Sequence, residues 1–196
     1  MKKEFRYYEV FIAGVQVTSD NCKNITGENI KGKVSYDPET NILTLNNATI
    51  DGRIYFYESI ENITITLVGE NTITNYIGSV RGTKIINGTG SLKAGFIVCP
   101  FEQNTIIEDC TIDIDADGFF ISGMYSLDNS TLTIKNANIS SKGVFAIDNF
   151  KDIELIGCEI VKPTNAQIID NEFVGFTGKY ICDGDGNIAE KVVIKK

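Results

Sequence analysis

The chain has no histidine and no tryptophan, and only three prolines and two methionines among its 196 residues. Without an imidazole, serine and cysteine triads, two-histidine zinc protease sites and histidine-based metal triads are all excluded. Any chemistry must come from Asp, Glu, Lys, Arg, Tyr or Cys. No apolar run reaches the ~20 residues that a membrane helix needs. Met1-Lys2-Lys3 leads into Glu4-Phe5-Arg6-Tyr7-Tyr8 without the apolar stretch of a signal peptide. The expectation is therefore no membrane insertion, and either a cytoplasmic protein or the mature form of an exported one. Positive charge is scarce as well: 18 Lys and Arg against 26 Asp and Glu leave a net charge of −8. Such a surface repels a polyphosphate instead of releasing its counterions, so nucleic acid is not an expected partner. The five cysteines, Cys22, Cys99, Cys110, Cys158 and Cys182, are odd in number and form no CxxC pair. Neither a disulfide framework nor a zinc knuckle is indicated.

What the sequence does contain is a repeat. A pattern of apolar-x-apolar, a polar or Gly pair, then small-x-apolar recurs six times, most clearly at Leu43 to Ile50, Leu132 to Ile139 and Ile153 to Ile160. Its last apolar residues, Ile50, Ile73, Leu92, Ile112, Ile139 and Ile160, are spaced by 23, 19, 20, 27 and 21. That is a solenoid period with one insertion, around residues 116–130. Alternation of period two in Ile, Val, Leu and Thr favours strand over helix. A third short apolar run lies between copies, as at Ile54 to Tyr57, Tyr76-Ile77 and Phe96 to Val98. Each coil is then three short strands separated by Asn, Gly and Asp turns. Stacked coils pair equivalent strands in parallel ~4.8 Å apart.

The predicted fold is all-β: a single-stranded right-handed parallel β-helix of about six coils of roughly 21 residues. An N-terminal β cap is expected over 1–40, the helix over 41–176 and a C-terminal hairpin cap over 177–196, forming one cooperative domain. At the front, Ala13-Gly14 marks a hairpin and Asp37 to Asn41 a second turn; at the back, Tyr180 to Cys182 is expected to pair with Lys191 to Ile194 through Asp183 to Asn187. Two places before each final apolar residue stand Ala48, Asn71, Gly90, Cys110, Ala137 and Cys158, a column read as inward-facing. Cys110 and Cys158 are thus expected to be small core hydrophobes rather than reactive thiols. Cys22, Cys99 and Cys182 fall outside that column.

The opening stretch from Tyr8 to Ile50, YEVFIAGVQVTSDNCKNITG…GKVSYDPETNILTLNNATI, resembles the first module of bacterial β-helical repeat proteins of unknown function, secreted or surface-attached. The closing YICDGDGNIAEKVVI is similar to their terminal hairpin, and the repeats between fit the pectate-lyase-like right-handed β-helix class. The resemblance implies this fold and a cell-surface setting, but no reaction. A leucine-rich repeat is the rival fold, since Leu43-x-Leu45-x-Asn47 echoes its consensus; it lacks support because no convex-side helix is visible.

Alternation across Arg53 to Glu58 places Ile54 and Phe56 inward and Arg53, Tyr55 and Tyr57 on the surface. Exposed tyrosines stack on the C–H face of a sugar while Arg53 and Glu58 bond its hydroxyls, so these four residues form the candidate carbohydrate site. Asp113 and Asp115, with Asp117 beyond, share one outer face and form a candidate Ca²⁺ site. Asp183 to Asn187 begins like an EF-hand loop, but position twelve is Ile194 where a bidentate Glu is required, so it reads as a turn. Thr49, Thr72, Ser91 and Thr111 read as an outward column of the ice-binding kind, broken by Asn138 and Glu159. No cofactor is expected and no catalytic residues are nominated. The favoured function is a non-catalytic recognition or adhesion module for glycan. A polysaccharide lyase or glycoside hydrolase using surface carboxylates, and a structural spacer in a larger assembly, are the alternatives.

Overall fold

A computed structural model of the chain describes residues 4–57, 59–79, 82–98, 103–115, 119–123, 130–173 and 176–196. They are strands and turns, with no helix among the described residues. The leucine-rich-repeat alternative is thereby set aside. The N-terminal strands are β1 (Tyr7–Ile12), β2 (Val15–Thr18) and β3 (Ile30–Asp37). β1 and β2 form a hairpin turned by Ala13 and Gly14, both at positive φ. The repeats then supply β4 (Ile42–Ile50), β5 (Ile54–Phe56), β6 (Asn62–Val68), β7 (Glu70–Ser79), β8 (Gly82–Asn87) and β9 (Ser91–Val98). They continue with β10 (Gln103–Glu108), β11 (Thr111–Asp115), β12 (Phe119–Ser122), β13 (Thr131–Lys135), β14 (Asn138–Lys142), β15 (Phe145–Asp148), β16 (Asp152–Ile156) and β17 (Glu159–Lys162). The chain closes with β18 (Gln167–Phe173), β19 (Phe176–Cys182) and β20 (Lys191–Lys195).

These strands stack into a parallel β-solenoid with three faces. The first is β4, β6, β8, β10, β13 and β16, each parallel to the next. The second runs from the end of β4 through β7, β9, β11 and β14. The third is β5, the ends of β7 and β9, then β12 and β15. Pairing in register turns the sequence period into columns. Leu43, Ile65, Ile86, Ile107 and Ile134 lie directly above one another and are fully buried. Each such Ile contributes about 1.5–3 kcal/mol relative to an exposed one.

The corner between the first two faces explains the Asn, Gly and Asp turns. Asn47, Gly69, Gly88, Asp109, Asn136 and Gly157 all take positive φ, the conformation that these three residue types tolerate best. At two of these steps a Gly follows an Asn for want of space. A Cβ on Gly69 would strike the Asn47 side chain, and one on Gly157 the Asn136 side chain. Asn47 Oδ1 in turn accepts the Glu70 N–H at 3.2 Å.

In three places the register differs from the sequence reading. Ile73 pairs with Ala94, not Leu92, which sits beside Asn71. Asn71 occupies an inward position because its amide donates to the carbonyls of Val68, Gly69 and Ser91 while its Oδ1 accepts from Ala48. Asn71 thus faces inward as its column predicts, but its neighbour in the next coil is Leu92 instead of Gly90, and the period slides by two. The same slide splits the hydroxyl column: Thr49 faces Thr72, which faces Lys93, while Ser91 and Thr111 align with Glu70. Third, β20 does not pair with β19. It lies antiparallel between β14 and β17, so that Ile194 sits between Ile139 and Ile160, while β19 forms a separate two-stranded sheet with β18. Cys182 and Ile188 make only an isolated bridge. The reason is burial: Val192 and Ile194 are fully buried in the slot.

At the front end β3 runs antiparallel to β4, and the loop before it covers its other edge through Ile25 N–H to Val34 O at 2.8 Å. Cys110 Sγ lies 3.7 Å from the Ile86 carbonyl oxygen and Cys158 Sγ 3.3 Å from that of Ile134, one coil below in each case. Burial pushes the Cys110 thiol up to about 12, with the charges of Asp109 and Glu108 adding to the rise. A thiol so far from ionising is a packing group. Cys22 and Cys182 are buried as well; Cys99 lies outside the described residues.

Ile107→Ala, in the middle of its column, is expected to cost about 2–5 kcal/mol. Thr133→Ala, half-buried and outward-facing on β13, is expected to stay within about 0.5 kcal/mol. Urea unfolding of both variants measures the contrast; equal losses would contradict the columnar core.

Candidate functional site

The third face carries an aromatic strip. Ile54 and Phe56 point inward, fully buried, which turns Tyr55 outward. Register then places Tyr55 beside Gly78, and Tyr76 beside Phe96 one coil on. From the cap, Phe11 pairs with Tyr55 across β1 and β5. The rings touch in sequence: Phe11 to Tyr57 at 5.3 Å, Tyr57 to Tyr55 at 4.7 Å, Tyr55 to Tyr76 at 6.4 Å and Tyr76 to Phe96 at 5.1 Å. The first three contacts are edge-on and the last is stacked, with 23° between planes. Tyr57 is 42% exposed, while Tyr55, Tyr76 and Phe96 are half-buried.

Arg53 is set into this strip. Its guanidinium lies 5.9 Å from the Tyr55 ring centroid and 5.8 Å from that of Tyr76, within cation–π range of both. One N–H donates to Tyr76 Oη at 3.0 Å. Gly78 makes the arrangement possible. A Cβ there would stand 3.0 Å from the Tyr76 ring and 3.1 Å from that of Tyr55, so any side chain would push the two rings apart.

The structure therefore brings Arg53, Tyr55 and Tyr57 together, while Glu58 lies outside the described residues. Sequence reasoning missed Phe11, Tyr76, Phe96 and Gly78. Tyr76 and Phe96 belong to the recurrent third run, and aligning those runs coil against coil would have found them.

At β15 the face is covered. All four residues of β15 are buried, because the β18–β19 hairpin lies over them, tied by the Phe150–Lys179 bridge. Asp148, in register with Ser122, is trapped beneath. Its Oδ1 has no hydrogen-bond partner. Burial pushes its carboxyl up to about 7, against the hydrogen bond from Ser122. Tyr180 of the hairpin is raised to about 12, by burial first and then by the Asp148 charge.

The second face holds the acidic pair. Asp113 lies in register between Lys93 and Ser140, and Asp115 forms an ion pair with Lys142 at 3.3 Å. Asp117 lies outside the described residues, among which no cluster of three His, Cys, Asp or Glu side chains is gathered. The EF-hand-like segment is a turn: Asp183 Oδ1 accepts the N–H groups of Asp185 and Asn187, both at 2.9 Å. Those bonds, led by Asn187, hold its carboxyl below the usual range.

No protein-family model, curated protein or solved structure matches the chain. Its function has to be read from these residues.

A carboxyl whose pKa is higher folded than unfolded stabilises the fold at low pH and ceases to do so as pH rises through the folded value. For Asp148 that loss spans from the ordinary Asp range to about 7. Asp148→Asn is expected to remove it, so that stability of the variant relative to the parent rises between pH 4 and pH 8. A pH-independent difference in urea midpoints would show that Asp148 ionises freely in the folded state.

Proposed function

We propose that the chain is a non-catalytic recognition module that binds carbohydrate along the aromatic strip of its third face. The observation that carries the reading is the unbroken run of ring contacts from Phe11 through Tyr57, Tyr55 and Tyr76 to Phe96, with Arg53 among them. Aromatic faces suit the C–H surface of a pyranose, and phenol and guanidinium groups suit its hydroxyls. The strip crosses successive coils, so it favours an extended ligand lying along the solenoid over a single small sugar. A surface-attached or secreted setting, in which adhesion to glycan is useful, is what the resemblance of the terminal modules implies.

The spacer reading has one observation in its favour. Among the described residues β16 is in register with β13 and β17 with β20, so the last coil offers unpaired edges, with Ile156 40% and Val161 38% exposed. Those edges carry protection, however. Asp152 and Glu154 are exposed on β16, and β17 is four residues long, irregular at Ile160/Lys162 and followed by Pro163. Short, charged and bulged edges discourage strand addition, which favours the recognition reading.

A glycan array, run with and without Ca²⁺, tests the proposal on the parent and on Tyr55→Ala/Tyr57→Ala. Losing two stacking rings is expected to lower affinity about tenfold. Gly78→Val is expected to do the same without removing a ring. Silence across the array in both calcium conditions, or binding untouched by these changes, would overturn the reading.

A further inference from the structure

Among the described residues four cations pair with carboxylates: Arg6 with Glu4, Lys135 with Glu108, Lys142 with Asp115 and Lys179 with Asp170. Arg53 does not. Among the described residues its guanidinium makes no ion pair and is held by the Tyr76 hydroxyl and two ring faces. A guanidinium has five N–H donors in a planar fork, of which this contact uses one. Among the described residues none of the others has a hydrogen-bond partner, and the residue is exposed.

We infer that the strip selects a saccharide bearing an anionic group, a carboxylate or a sulfate ester, and that Arg53 receives that group. The inference rests on the carbohydrate reading above. A neutral sugar needs hydroxyl partners, which Tyr57 and Tyr76 supply; a cation adds nothing to it that an amide would not. For an anion the same cation supplies a charge-assisted, bidentate contact. The two rings fix its orientation in advance, so less side-chain freedom is lost on binding than for a solvated lysine. The net charge of −8 opposes an approaching anion, but at physiological salt charges beyond ~8 Å are largely screened and the nearest one dominates.

The test compares three hexasaccharides on one backbone: cellohexaose, its C6-oxidised carboxylate form and its 6-O-sulfated form. Each is titrated calorimetrically into the parent, Arg53→Gln and Arg53→Lys. The parent is expected to bind at least one anionic form about tenfold or more tightly than the neutral one, the magnitude of a charge-assisted contact. The carboxylate and sulfate arms identify which anion is preferred. Arg53→Gln is expected to abolish the preference, because the charge-assisted contact is gone, while Arg53→Lys retains part of it. Unchanged melting temperature of the variants confirms that the strip's support is intact. Equal binding of neutral and anionic forms by the parent, or an anionic affinity unmoved in Arg53→Gln, overturns the inference and leaves the glycan reading standing. Failure of all three sugars together with a silent array overturns both.

Discussion

Everything in this molecule depends on backbone hydrogen bonding between residues one coil apart. A parallel ladder sets equivalent residues side by side, so the side chain at each position has a fixed neighbour above and below. A column can then be built from one kind of residue. An isoleucine column fills the core, as from Leu43 to Ile134; a column of Asn, Gly and Asp turns the corner at positive φ. The aromatic strip is the same rule applied to an outer face. Tyr76 and Phe96 stack because the ladder holds their Cα atoms in register.

That dependence also decides what could be read from sequence. Period-two alternation and turn residues give strands and coils directly, and inward and outward faces follow for Ile54, Tyr55, Phe56 and Tyr57. Alternation is blind to a shift of two, however, since such a shift returns every side chain to the same face. Asn71 exploits that blindness: a satisfied amide took an inward place, and matching apolar ends aligned Leu92 where Ala94 belongs. The strip was half legible for a related reason. Tyr55 and Tyr57 are neighbours in sequence, whereas Phe11, Tyr76 and Phe96 reach them only through strand pairing.

The ends of the solenoid obey a different constraint, because the ladder has to stop. At the front, β3 reverses direction and its outer edge is closed by backbone bonds from the preceding loop. At the back, β20 enters antiparallel between β14 and β17. A local hairpin with β19 would have been the shorter connection, and turn residues at Asp183 to Asn187 invite it. Yet Val192 and Ile194 bury fully against two strands in the slot, whereas a hairpin offers one. Local turn chemistry was legible; the competition between two sites for one strand was not, since it is settled by burial at a distance.

The hairpin of β18 and β19 then limits the strip. Outer positions of the third face continue in register past Phe96 through β12 to β15, and a ligand lying along the axis would follow them. The hairpin covers β15, with Asp148 sealed beneath it. Were the face open there, that carboxyl would meet solvent and titrate as an ordinary Asp; its rise to about 7 is the consequence of being covered. The free length of the strip is therefore set at one end by the cap strand bearing Phe11 and at the other by the hairpin. Between them Arg53 lies closer to the cap, in contact with Tyr55 and Tyr76 and two coils short of Phe96. An extended ligand anchored by an anion at Arg53 would have rings to either side of that anchor, so its charged group belongs within the chain rather than at its end.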